Sequence, residues 1–133
     1  MSEKMFLLIA GSRTFNDYHF LKQMIDKELK TKYQTVIVSG GARGADTLAE
    51  KYAKENKLET IIFPAKWETF GKSAGYIRNI KMHEFLANKP NKKVICFWDG
   101  MSKGTAHNFP LAEKFNNPIV IYNYTRKECH NDQ

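Results

Sequence analysis

The stretch from Ser39 to Asp46 reads Ser-Gly-Gly-Ala-Arg-Gly-Ala-Asp, which puts Gly40, Gly41 and Gly44 beside Arg43 and a carboxylate. Glycines take positive φ and let a backbone approach a ligand closely. Where a helix begins at such a turn, its first amides lack internal partners and carry the positive end of the helix dipole. A phosphate or another anion is then the natural occupant, and a tight turn without ligand is the plainer alternative. A second glycine-bearing run, Asp99-Gly100-Met101-Ser102-Lys103-Gly104-Thr105, has similar composition. Ser102 and Thr105 could donate hydroxyls to phosphate, and Gly104 would open the backbone there. Thr105 could equally be a plain helix cap.

Arg78 is the most informative single charge. It shares one helical stripe with Ala74, Ile77, Met82 and Phe85. A charge on a buried stripe needs an acidic partner or an anion. The planar guanidinium suits a bidentate clamp on phosphate or carboxylate. Snorkelling to solvent, or pairing with Asp46 or Asp99, are the alternatives. Asp46 and Asp99 could accept hydrogen bonds from ribose hydroxyls, and Asp46 could instead cap its own helix. Trp67 could stack on a base or serve packing alone. His83 and His107 lie with no acids or cysteines at metal spacing, so no metal and no cofactor are expected. No nucleophile–His–Asp spacing supports covalent catalysis.

These residues need elements to place them. Met5–Ala10, Thr35–Val38, Glu59–Phe63, Lys93–Trp98 and Pro118–Tyr122 are short apolar runs, the pattern of strands buried on both faces of a parallel sheet. Helical spacing links them: Tyr18, Leu21, Met24, Ile25 and Leu29 form one stripe, Leu48, Ala49, Tyr52 and Ala53 a second. A third helix runs from about Ser73 to Ala87, and a last one to about Asn116, with Pro110 sitting awkwardly inside it. Pro64 to Lys72 reads as a loop. Five strands alternating with four helices predict one Rossmann-like α/β domain of three layers with a mainly parallel sheet, over residues 1–122. The polar tail, 123–133, is expected to be loosely held. Gly11-Ser12-Arg13-Thr14-Phe15, the Ser39–Asp46 turn, Pro64–Trp67 and Asp99–Thr105 all directly follow strands. Four loops therefore meet on the carboxyl edge, where such sheets bind ligands.

Composition narrows the partners. The chain has 133 residues and a net charge of +7, which favours anionic partners. Many lysines fall on solvent faces of the expected helices, so a solvated basic surface accounts for much of that charge. No apolar run is long enough for a membrane span, and the start lacks the pattern of a secretory signal. Two cysteines, Cys96 and Cys129, make no disulfide framework, so a cytoplasmic setting is expected.

Together, Gly-Ser-Arg-Thr-Phe, Ser-Gly-Gly-Ala-Arg-Gly-Ala-Asp, Pro-Ala-Lys-Trp, Gly-Lys-Ser-Ala-Gly-Tyr-Ile-Arg-Asn-Ile-Lys-Met and Trp-Asp-Gly-Met-Ser-Lys-Gly-Thr resemble the SLOG superfamily. The resemblance is to its small stand-alone YspA-type, YpsA-related branch and runs from about Phe6 to Tyr122. It implies binding of a nucleotide-derived ligand, ADP-ribose-like or a nucleoside phosphate, by a sensor, carrier or sequestering protein. The superfamily also holds the LOG nucleotide phosphoribohydrolases and the DNA-processing protein DprA. In LOG enzymes an Arg in an R-K-x-x-M pattern works with a Glu in P-G-G-x-G-T-x-x-E. Here Arg78 and Met82 are kept with Asn79 between, and Gly104-Thr105 are kept with Asn108 at the Glu position. The candidate ligand-binding set is Gly11, Ser12 and Arg13; Ser39, Gly40, Gly41, Arg43, Gly44 and Asp46; Trp67, Arg78 and Asn79; and Asp99, Gly100, Ser102, Gly104 and Thr105. Arg78, Asp46 and Asp99 are the catalytic candidates if the protein hydrolyses an N-glycosidic bond. Single-stranded nucleic acid is a further candidate partner, from the charge and the kinship. A homodimer or higher homo-oligomer, through Phe70, Tyr76 and Ile80, is also expected.

Overall fold

A computed structural model describes residues 3–132. β1 (Glu3–Gly11) is buried from Met5 to Ala10, which is why an unbroken apolar run suits it. β2 (Tyr33–Ser39) and β4 (Lys92–Trp98) flank it in parallel. β3 (Glu59–Ile62) pairs with β2 and β5 (Ile119–Asn123) with β4, also in parallel. The sheet order is β3-β2-β1-β4-β5, with β6 (Glu128–Asp132) on the outer edge of β5.

Alternation along β1 builds two cores. Leu7 and Ile9 meet Leu21 and Ile25 of α1 (Tyr18–Asp26) and Ala49 and Tyr52 of α2 (Ala45–Glu55). Phe6, Leu8 and Ala10 meet Met82 and Leu86 of α4 (Ala74–Ala87) and Ala112 of α6 (Asn108–Lys114). The chain thus winds outward through β2 and β3 under α1 and α2. It then crosses back beneath α4 to continue through β4 and β5. Strand order reverses between β1 and β4, and a crevice opens at their carboxyl ends.

Several expectations need correcting. The sheet has six strands, not five: the tail forms β6 (Glu128–Asp132), antiparallel to β5. A hairpin turn with Lys127 at positive φ brings it back. The strand supplies backbone partners to an edge and little burial, so a polar sequence suffices and leaves no apolar signal. The segment read as a loop holds a helical turn, α3 (Trp67–Phe70), and a 3₁₀ turn over Gly71–Ser73, with no buried residue in either. The last helix is broken at His107 into α5 (Lys103–Ala106) and α6. Pro110 lies in the first turn of α6, where a missing N–H costs nothing. On α4 the fully buried positions are Ala74, Asn79, Met82, His83 and Leu86, so two polar side chains share the inner face. Phe70, Tyr76 and Ile80 are exposed.

Leu8 is wholly buried between β2, β4 and the α4 layer. Leu8→Ala is expected to lower stability by about 2–5 kcal/mol, seen as a lower urea midpoint at unchanged slope.

Candidate functional site

The four loops do converge. A cleft of about 420 Å³ lies over the carboxyl ends of β1 and β4, and a smaller one of about 220 Å³ adjoins it beside the Ser39–Asp46 turn. Gly11, Ser12, Arg13, Asp46, Trp67, Arg78, Asn79, Asp99, Ser102, Gly104 and Thr105 line the larger cleft. Gly40 and Arg43 line the smaller, together with Arg13, Trp67 and Arg78. Ser39, Gly41, Gly44 and Gly100 line neither and shape the turns instead.

Ser12 ties the loops together. Its amide donates to the Phe97 carbonyl at 3.0 Å, and its carbonyl accepts from Ala45 at 3.4 Å. Its Oγ accepts from the Asp99 amide at 3.1 Å. Gly44 packs against this segment at φ +77°, and a Cβ there would strike the Ser12 carbonyl. β1, the start of α2 and the β4 loop are thereby fixed to one another.

The amides expected to be free for an anion are largely engaged within the turns. Ala42 donates to Asp46 Oδ2 at 3.1 Å, and Gly41 to Ser39 Oγ at 3.2 Å. Ser39 Oγ in turn donates to Glu50 at 2.8 Å. In the second turn, Met101 and Ser102 both donate to Asp99 Oδ1, at 2.9 and 2.7 Å. Thr105 donates to Ser102 Oγ at 3.3 Å, an N-cap for a helix of one turn. Asp46 therefore holds its own turn through Ala42 and does not cap its helix, whose N-cap position is Gly44 with no side-chain bond, and Asp99 likewise holds its own turn.

The Arg78 cation sits outside any direct ion pair among the described residues. Arg78 is half-buried on the first turns of α4. Its Nε donates to Asn79 Oδ1 at 2.9 Å and its Nη1 to the Gly40 carbonyl at 2.5 Å. Among the described residues it forms no ion pair. Burial lowers its pKa; the charge of Asp46 opposes this and that of Arg13 adds to it. Gly40 must be glycine here, because a Cβ would collide with the guanidinium and lie 2.9 Å from Asp46 Oδ2. Arg13 is exposed, with its guanidinium 5.5 Å from the centre of the Trp67 ring. Trp67 is 48% exposed and flanks both clefts, so it is a wall rather than a core residue.

Behind the cleft runs a buried polar seam that the sequence reading missed. Asn108 Nδ2 donates to the Thr105 carbonyl at 3.1 Å and its Oδ1 faces His83 Nε2 at 3.0 Å. Asn117 Nδ2 faces His83 Nδ1 at 3.0 Å. Donor and acceptor roles then make His83 neutral with its proton on Nε2. Asn79 Nδ2 reaches the Gly104 carbonyl and His107, each at 3.3 Å. This seam sets α5 and α6 against α4. Lys72 and Tyr76 also line the cleft; neither was among the ligand-binding candidates, and Tyr76 was expected at an oligomer face, though both lie in the Gly-Lys-Ser-Ala-Gly-Tyr motif before Arg78. Among the described residues no acidic, cysteine or histidine cluster could hold a metal ion, and no helix is long and apolar enough to cross a membrane.

Comparison with known proteins adds kinship. A family model described as "YspA, cpYpsA-related SLOG family" matches residues 5–70. The Gene 61 protein of Mycobacterium phage D29 is 35% identical over 122 residues, covering 87% of this chain and 94% of that protein. The X-ray structure of DNA processing protein A (DprA) from Streptococcus pneumoniae superposes with a TM-score of 0.60 at 20% identity. That match covers 88% of this chain and 50% of DprA, so the chain spans half the length of that protein and the likeness is one of fold.

Two buried groups act on stability in opposite directions. Burial pushes the Asp46 carboxyl up to about 6, against the Ala42 amide and Arg78, which pull it down. Burial pushes His83 down to about 4. A raised acid favours the fold at low pH and loses that contribution as pH rises through about 4 to 6. A depressed base does the reverse, losing its contribution as pH falls from about 6.5 to 4. At about 1.4 kcal/mol per pH unit each is worth about 3 kcal/mol, and they offset. Asp46→Asn is expected to expose the histidine's loss, so its melting temperature should fall steeply below about pH 6 while that of the parent changes little.

Proposed function

The chain belongs to the YspA, cpYpsA-related SLOG family, and we propose that it binds a nucleotide-derived ligand, a nucleoside phosphate or an ADP-ribose-like molecule, at the carboxyl edge of its sheet. Its role would be that of a sensor, carrier or sequestering protein. The observation that carries this reading is Arg78, a half-buried guanidinium in a crevice at the strand-order switch with no ion-pair partner among the described residues. Such a charge is held at a cost that an anionic ligand removes. Asp99 fits a ribose hydroxyl. Burial works to raise its pKa, but the Met101 and Ser102 amides and the Ser12 hydroxyl win and hold it below the usual carboxylate range. Oδ1 serves the turn, and the second oxygen remains for a ligand. The exposed ring of Trp67 suits a base.

Binding is favoured over turnover by Asn108. It stands where the related hydrolases carry a glutamate, and both ends of its amide are committed to His83 and Thr105. Calorimetric titration with AMP, ADP-ribose and NAD tests the reading. At least one should bind, and Arg78→Ala should weaken that affinity about ten- to a hundredfold by removing charge-assisted hydrogen bonds. No heat with any of them would contradict it.

One observation favours a second reading. Asp46 is 5% exposed, borders the cleft, and is pushed by burial up to about 6. A carboxyl so placed is suited to general acid–base work on an N-glycosidic bond. Release of free base from AMP, lost in Asp46→Asn, would establish hydrolysis; unchanged AMP after long incubation at high protein concentration would remove it.

A further inference from the structure

The two compartments differ in charge, and the difference assigns the ends of the ligand. Three of the four arginines in the chain, Arg13, Arg43 and Arg78, line the smaller compartment, and no acidic residue does. The larger compartment shares Arg13 and Arg78 and adds Lys72, but it also carries Asp46 and Asp99 with the hydroxyls of Ser102 and Thr105. Those two carboxylates offset most of the positive charge there, so a dianion is favoured in the smaller compartment, where no acid opposes it, whereas sugar hydroxyls and base edges are matched by the carboxylates.

We propose that the smaller compartment is the phosphate seat, with Arg43 as a ligand-binding residue, and that the larger one takes the nucleoside. The nucleoside half rests on the nucleotide reading above; the phosphate seat stands on its own geometry. Arg78 lines both compartments and so sits at the divide, where a phosphate joins a sugar. Its Nε and one bond from Nη1 are used internally, which leaves further N–H donors for an anion. Arg13 lies over the face of Trp67, a contact that leaves the in-plane N–H edge of the guanidinium free. Arg43 is exposed, forms no ion pair among the described residues, and lies between two glycines of positive φ, Gly41 and Gly44. The self-bonded turn amides leave this trio of guanidiniums as the anion-attracting groups of the smaller compartment.

The test compares adenosine, AMP and inorganic pyrophosphate on the full chain, with Arg43→Gln and, as a charge control at the β5–β6 turn, Arg126→Gln. Both positions are exposed, so neither substitution opens the core. The parent should bind AMP about tenfold or more tighter than adenosine by calorimetry. Arg43→Gln should lose most of that ratio while keeping its adenosine affinity, and Arg126→Gln should keep both. Pyrophosphate, against chloride at equal ionic strength, should raise the melting temperature of the parent and not of Arg43→Gln. An AMP-to-adenosine ratio unchanged in Arg43→Gln would overturn the seat, as would a pyrophosphate effect equal in parent and variant or absent from both. An Arg43-dependent pyrophosphate effect without nucleoside phosphate binding would keep the seat and remove the nucleotide reading. Binding of a single-stranded oligonucleotide with no response to AMP or pyrophosphate would overturn the assignment in favour of a polymer.

Discussion

A guanidinium held half out of water with no direct ion pair among the described residues is the constraint on which the carboxyl edge depends. Arg78 projects from the start of α4 and is gripped by the Gly40 carbonyl and by Asn79. Removing an ion from water costs several kcal/mol unless charge and hydrogen bonds are returned. Asp46 is near enough to favour the charged form, yet Asp46 is itself engaged by the Ala42 amide. The position is therefore fixed by neutral or already committed partners, and the cation keeps donors to spare.

That arrangement needs rigid surroundings. Ser12 binds Phe97, Ala45 and Asp99, so three loops cannot move independently. The His83–Asn108–Asn117 seam holds α6 and the turn before it against α4. Buried polar networks of this kind specify one arrangement when their members are satisfied. Among the described residues, Asn117 Oδ1 is a buried acceptor with no partner. The stretch covering the cleft is held less firmly, since nothing in Trp67–Ser73 is buried. A locked floor beneath a lightly packed rim is the usual division of labour in binding sites.

Much of this architecture was legible in the sequence because parallel strands buried on both faces must be apolar throughout. Met5–Ala10 and Lys93–Trp98 could hardly be anything else, and once the strands are placed the four loops follow. Arg78 was legible as a charge on an apolar stripe. β6 was not, because an edge strand is held by backbone bonds that any side chain permits. Nor was the engagement of the turn amides: glycine-rich composition reports what a backbone can do, and Asp46 and Asp99 folding back on their own loops is decided by rotamers. His83 and Asn108 carried no signal because isolated polar residues reveal a network only when their elements meet. The positive charge of this edge thus comes from side chains, Arg13, Arg43, Lys72 and Arg78, rather than from free amides of the glycine-bearing turns.

The most direct measurement is of the guanidinium itself. The side-chain Nε–Hε resonances of Arg13, Arg43, Arg78 and Arg126 can be followed by NMR while AMP is added. A saturable displacement of the Arg78 resonance, with Arg126 unmoved, is the expected result. A bound ligand that leaves Arg78 where it was, or moves all four resonances alike, would contradict the account.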